Sequence, residues 1–457
     1  MSAASDKNLE LLAAIERAGI VGCGGAGFPT HAKLKGSIRH LILNGAECEP
    51  LLRTDRYLML HHAGEIVRAA AAVKEAVGAE ECTIGLKAGY TEEIAALEEA
   101  IEAQNAPVRL HRMQSFYPAG DEQVLVAEIT GRVIPAAGIP LDVGCAVSNV
   151  GTMYNIALAM QGENFIKKFL TVSGAVAKPT VVCVPVGTSF RDCLELAGGV
   201  PSGEWMAISG GPMMGKRMTK EEALAAYVTK TTSGILIIPA DNPLALREKA
   251  SLRHMYARAR SACIQCQRCT DLCPRHLLGH PLEPHRIMRQ LATMAIDGVP
   301  ADNRVLETAS LCCECGICEL FACPMDLAPR KLNAMLKQEL AKEKKRWPKG
   351  EGQKEPSPWR EGRKAPTKRV AARADVLEYY DRCGTASLAV GEPAKVRLAL
   401  RQQIGAPSRP VVSVGERVTA GQLIAAIPEG ALSANLHASI SGVVTAIDDA
   451  ICIEKEK

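Results

Sequence analysis

CIQCQRCTDLCP, from Cys263 to Pro274, is the stretch on which the reading of this chain turns. Three cysteines at successive two-residue gaps, then a fourth followed by proline, reproduce the bacterial ferredoxin run in spacing and in terminal residue. A second copy, CCECGICELFACP from Cys312 to Pro324, has one extra residue before its last cysteine. The spacing has a physical cause. A tight loop lets three thiolates reach three corners of one cubane, and the fourth lies too far along the chain and serves the other cluster. Cys263, Cys266, Cys269 and Cys323 are therefore assigned to one [4Fe–4S] cluster, and Cys312, Cys315, Cys318 and Cys273 to a second. Cys313 is then a spare buried thiol. Zinc is the competing reading, but it takes four ligands, commonly as two Cys-x2-Cys pairs, and this pattern fits it poorly. The segment between the motifs, Pro284–Ala295 included, reads as helix, so the module is helical and ferredoxin-like.

The rest of the chain must accommodate that module. At 457 residues it is too long for one ordinary core. Aromatic content of 4% and a net charge of +4 favour neither base stacking nor a nucleic-acid partner. No apolar run is long enough to span a bilayer, and the opening MSAASDKNLELLAAIERAG carries acidic residues where a secretion signal needs basic and apolar ones. A cytoplasmic setting is expected. There, clustered members of the 17 cysteines are metal ligands before they are disulfides, and Cys48, Cys82, Cys145, Cys183, Cys193, Cys383 and Cys452 are small core residues.

Five segments follow from pattern. Residues 1–162 alternate strands (His40–Leu43, Cys82–Leu86, Val108–Met113) with helices (Asn8–Ile20, Tyr57–Ala76, Glu92–Glu102), the mark of an α/β unit with a parallel sheet. Residues 163–243 form a small α+β domain with strands at Thr180–Pro185 and Ile235–Pro239 and a helix at Phe190–Ala197. Residues 244–345 hold the cluster module. Residues 346–385 are basic and read as a solvated linker. Residues 386–457 return to short strands and glycine turns.

GCGGAGFPT (Gly22–Thr30) contains the spacing GxGxxG, but a helix precedes it where a dinucleotide fingerprint needs a strand. What remains is a loop without bulk, whose backbone N–H groups can approach a flat or phosphorylated ligand. GCGGAGFPTHAKL, NGAECEPLLRTDR (Asn44–Arg56) and VSNVGT (Val147–Thr152) together resemble the flavin-binding subunit of respiratory NADH dehydrogenase. The match is closer to the cluster-bearing subunit of the ion-pumping NADH:ferredoxin oxidoreductase. GERVTAGQLIAAIPEGALSANLHASISGVVTAI (Gly415–Ile447) looks like a barrel-sandwich of the biotinyl/lipoyl type, yet Ile424–Gly442 lacks the lysine a covalent carrier needs. That domain comes last here. The resulting order is similar to the cobalamin reductase family of propanediol-utilisation bacterial microcompartments.

The resemblance implies a multidomain α/β chain. Its parts are a Rossmann-like FMN/NADH domain, a β-grasp (soluble-ligand-binding) domain, a helical two-cluster ferredoxin-like domain and a C-terminal all-β barrel-sandwich domain. It places Gly22, Gly24, Gly25 and Lys33 around the FMN phosphate and ribityl chain, Asn44 near the isoalloxazine, and Asn149 and Thr152 on the phosphate side. It turns Phe28 and Glu49 toward NADH, and it sets Gly120, Asp121 and Glu122 where the respiratory subunit has Gly-Glu-Glu. Cys23, Ala46 and Ser148 depart from the family pattern, replacing an arginine, an aspartate and an asparagine.

A nicotinamide gives electrons in pairs and a cluster takes them singly, so a flavin is chemically required between them. The expected activity is an NADH-dependent flavoprotein reductase that brings a corrinoid from Co(III) to Co(II). The chain contains no Asp-x-His-x-x-Gly corrinoid loop, so the corrinoid is a visitor or is held by a partner such as an adenosyltransferase. Microcompartment shell or cargo proteins are further expected partners, and the interior of a microcompartment the expected location. An NADH:ferredoxin-type oxidoreductase recycling NAD is the alternative. A non-enzymatic relay or scaffold with an empty flavin site is another.

Overall fold

A computed structural model describes residues 3–293 and 303–456. The N-terminal sheet has four parallel strands in the order Arg109–Met113, Glu81–Lys87, His40–Asn44, Cys145–Asn149. Apolar runs such as HLILN suit this sheet because helices cover both of its faces. Leu41 and Leu43 pack with Ile66 and Val73 in one core, and Ile42 between them packs with Leu125 and Val126 in another. After the first strand the chain works outward to Arg109–Met113, then returns to the other flank of His40–Asn44. Such a reversal opens a crevice at the carboxyl ends of the two strands it separates, where open α/β sheets bind ligands. Asn44 and Asn149, the last residues of those strands, are register partners.

The second sheet is mixed and six-stranded, ordered Leu388–Val390, Thr180–Pro185, Lys167–Gly174, Gly234–Pro239, Trp205–Ser209, Lys216–Met218. Lys167–Gly174, Trp205–Ser209 and Lys216–Met218 are not legible as strands in the sequence, because lysines, a serine and a glycine break their apolar runs. Short helices and connecting loops follow between Pro243 and Lys342. The final segment forms a four-stranded and a three-stranded sheet around Val396, Ile424, Val444 and Ile451.

Several expectations are corrected. The helix expected over Tyr57–Ala76 is two helices, Thr54–His61 and Ala63–Ala76, broken at His62. The helix between the cysteine motifs spans Pro284–Thr293, and the end of the expected range, Ala295, lies outside the described residues. Residues 346–385 are not a solvated linker. Ala365–Pro366 pairs antiparallel with Phe116–Tyr117, and the helix Thr367–Arg373 buries Val370 and Ala371 beside Leu244 and Leu320. Basic composition concealed this, because the few apolar residues of the segment are spaced to cover one face only.

Candidate functional site

The crevice holds a cavity of about 380 Å³, a size suited to a cofactor. All twelve residues proposed from sequence line it: Gly22, Gly24, Gly25, Phe28, Lys33, Asn44, Glu49, Gly120, Asp121, Glu122, Asn149 and Thr152. The glycine loop is pinched at its base, where Val21 bridges Pro29 and the Gly22 N–H donates to the Phe28 carbonyl at 2.9 Å. Gly25 at its tip has φ +128, a conformation side chains avoid, and a Cβ there would meet nothing within 4 Å. The loop therefore presents bare backbone to the cavity.

Opposite it, Asn149 caps the helix Val150–Ala159, its Oδ1 accepting from the Gly151 N–H at 2.8 Å. This ten-residue helix directs its N-terminal turn, with Gly151 and Thr152, into the cavity. Such an end favours a phosphate. Thr152 Oγ1 accepts from the Cys23 N–H at 3.0 Å, joining helix to loop. Lys33 pairs with Glu122 at 3.2 Å. Asn44 donates to the Gly120 carbonyl at 2.9 Å and accepts from the Ala46 N–H at 3.1 Å, so both ends of its amide shape the wall. A Cβ on Gly120 would stand 2.9 Å from the Ala46 oxygen, so only glycine fits that wall.

Glu49 is committed elsewhere. Its carboxylate accepts from the Met213 and Met214 N–H groups at 2.9 and 2.8 Å, fastening a loop of the second domain to the cavity rim. Burial pushes it up to about 7 despite those donors. Sequence reasoning missed a neighbouring acidic pair. Burial and mutual repulsion raise Glu47 to about 8, and Glu47 Oε1 accepts from the Asp55 N–H at 3.2 Å. Burial raises Asp55 to about 6 even though Asn149 donates to it at 2.7 Å. Cys48, read as a core thiol, lines the cavity instead.

Cys315 also lines this cavity, so a proposed cluster ligand faces the proposed flavin pocket. Its carbonyl accepts from the buried Tyr117 hydroxyl at 2.6 Å. Arg275, two residues past Cys273, forms two hydrogen bonds with Asp121. The thiols gather in two groups. Burial, then Cys323, Cys263 and Cys266, push Cys269 up to about 12. Burial, then Cys312 and Cys273, raise Cys318. Thiols that oppose one another's ionisation in this way suit a cationic iron core, and both groups have the donor chemistry a cluster takes. Among the described residues, no three His, Cys, Asp or Glu side chains stand close enough to share a single metal ion. Cys266 is exposed, Cys263 and Cys269 are half-buried, and all four cysteines of the second group are buried. Cys313, expected to be buried, is half-buried.

Parts distant in sequence steady the glycine loop. The Ile404 N–H donates to the Gly27 carbonyl at 3.1 Å. Lys230, almost fully buried, donates to the Gly19 and Asn435 carbonyls at 2.7 and 2.8 Å. Burial lowers its ammonium to about 7.

Fold and site define a flavin- and iron–sulfur-bearing redox chain, and comparison with known families agrees. Residues 15–158 match the Nuo51 FMN-binding domain, 169–217 the SLBB domain, 262–328 the 4Fe-4S dicluster domain, and 386–457 the RnfC barrel sandwich hybrid domain. The chain is 42% identical to the cobalamin reductase PduS of Salmonella typhimurium, over 96% of this chain and 95% of that one. Against cobalamin reductase PduS of Citrobacter freundii it is 39% identical, over 95% and 94%. It belongs to the PduS cobalamin reductase family. One subunit of the Na(+)-translocating ferredoxin:NAD(+) oxidoreductase complex of Acetobacterium woodii is 37% identical over 57% of this chain and 56% of its own. A chain of an NAD+-reducing [NiFe]-hydrogenase in the H2-reduced state shares the fold, with a TM-score of 0.50, 20% identity, and 76% of this chain and 64% of that one covered. No helix among the described residues is long and apolar enough to cross a membrane.

Proposed function

We propose that this chain draws electron pairs from NADH at its cavity and delivers them singly, through two [4Fe–4S] clusters, to a corrinoid that goes from Co(III) to Co(II). One observation carries the reading: Cys315 and the glycine loop line the same cavity. A flavin, when bound, supplies the step between two-electron and one-electron chemistry. The residues of the chain do the rest. The glycine loop, the N-terminal turn of the helix Val150–Ala159 and Lys33 would hold the phosphate. Asn44 and Gly120 would shape the wall for the ring, and Phe28 the side open to the nicotinamide. Glu49 would bound that side through the Met213–Met214 loop. Cys312, Cys315, Cys318 and Cys273 would hold the buried cluster beside the cavity. Cys263, Cys266, Cys269 and Cys323 would hold the cluster nearer solvent.

The cobalamin reductase relatives support the corrinoid as acceptor; the interior of a microcompartment as the location, and an adenosyltransferase or shell and cargo proteins as partners, are part of the proposal. The proposed domain limits are 1–162, 163–243, 244–345 and 386–457, with 346–385 as a folded strap. The test is anaerobic: purified protein is assayed for iron, sulfide and flavin, then given NADH and either cob(III)alamin or ferredoxin. Reduction of cob(III)alamin supports the reading. Reduction of ferredoxin alone replaces it with NADH–ferredoxin exchange, and absence of flavin replaces it with a relay.

A further inference from the structure

Beside the Cys263–Cys269 loop lies a second cavity, of about 670 Å³ and open to solvent, which the proposed electron path does not use. Its walls come from three places. Arg268 and Asp271 flank Cys269, Phe321 and Ala322 precede Cys323, and Arg363, Arg369 and Arg373 come from the folded strap. Four arginines thus face one aspartate, and Phe321, Ala322, Leu272 and Ala372 supply an apolar floor.

The arginines are not equivalent. Arg363 donates to Asp271 at 3.1 Å, and Arg373 donates to the Cys323 carbonyl at 3.3 Å and approaches Asp326 at 3.7 Å. Arg268 and Arg369 are exposed and have no such partner among the described residues. Two free guanidiniums at the mouth of an apolar-floored cavity suit one phosphate group attached to a large, partly apolar body. A cobalamin has that chemistry: a phosphodiester in its nucleotide loop, and a ring rimmed by amide carbonyls that can only accept from arginine.

We infer that this cavity is the acceptor site, with Arg268 and Arg369 gripping the phosphodiester of a corrinoid nucleotide loop so that the ring lies against the Cys263–Cys269 loop. The inference rests on the corrinoid reading above and adds a place and a recognition element to it. The strap, whose composition suggests a spacer, supplies one of the two gripping residues.

The test is equilibrium binding with anaerobic holoprotein, comparing hydroxocobalamin with hydroxocobinamide, which lacks the nucleotide loop and its phosphate. Loss of a charge-assisted pair weakens binding about tenfold or more, so cobinamide is expected to bind at least that much more weakly. In Arg268→Gln/Arg369→Gln, with iron content and circular dichroism checked, the preference is expected to disappear. Inorganic pyrophosphate should displace cobalamin from the unmodified protein. Unmodified protein that reduces both corrinoids and binds them equally overturns the inference and leaves the corrinoid reading standing. A double variant with undiminished preference also overturns it. Protein that neither binds nor reduces either corrinoid overturns both.

Discussion

Asp121 and Arg275 join the flavin-side unit to the cluster unit by two parallel hydrogen bonds of 2.5 and 2.9 Å, with side chains 14% and 9% exposed. Asp121 also caps the helix Glu122–Thr130, accepting from the Gln123 and Val124 N–H groups. One carboxylate thus fixes a cavity wall and the turn after Cys273. Replacing Arg275 with Met strands a buried carboxylate and should cost about 3–5 kcal/mol. Denaturant unfolding of Arg275→Met measures this, and an unchanged midpoint would refute it.

The same pair sets an acid limit. Burial alone would raise the Asp121 carboxyl, but the Arg275 guanidinium outweighs it and holds the carboxyl below its ordinary value. A depressed folded value means that the stabilisation is complete above the unfolded value, near pH 3.8, and fades as pH falls below it. In the Asp121→Asn variant, unfolding free energy should depend less on pH below about 4 than in the parent.

At Lys230 the sign is reversed. Burial lowers its value from 10.5 to about 7, so between those values the unfolded chain binds more protons and this group makes stability rise with pH. Lys230→Met should abolish that slope. It also leaves the Gly19 and Asn435 carbonyls unpaired, at about 1–3 kcal/mol each. Because Gly19 precedes the glycine loop, flavin retention on anaerobic gel filtration should fall as well.

The cysteine grouping predicts iron content. Cys273→Ser and Cys323→Ser should each remove one cluster, lowering iron from roughly eight per chain to roughly four, and they should abolish different electron paramagnetic resonance signals. Cys273→Ser should block transfer from the cavity altogether, because its group includes Cys315. Cys273→Ser should abolish the same signal as Cys312→Ser; if it instead abolished the signal lost in Cys263→Ser, the exchange of fourth ligands between motifs would be wrong.

The strap is part of a core. Val370 is 1% exposed in a cluster shared with Leu244 and Leu320. Val370→Asp should lower the melting temperature sharply, as an unpaired buried charge costs several kcal/mol. A true spacer would tolerate it.

Much of this architecture was legible in the residues. HLILN and TVVCVP announce buried strands because apolar residues on both faces have no other soluble use. The cysteine runs state their chemistry through spacing alone. What escaped was of two kinds. Phe116–Tyr117 is a two-residue strand, too short for any period, and its partner Ala365–Pro366 lies in a basic stretch. Glu47, Asp55 and Cys315 meet around one cavity only because a crossover and a domain contact bring them there. No local pattern encodes that meeting. Glu49 shows the converse: its motif placed it at the cavity, but not on the Met213 and Met214 amides.

The fastening of the glycine loop by Ile404 and Lys230 bears on how the protein is made. A ribosome that has released the first domain has not yet synthesised the residues that brace its cradle. Acquisition of the flavin is therefore expected late, in the finished polypeptide, and fragments that end before the barrel-sandwich should emerge without flavin while still able to carry iron.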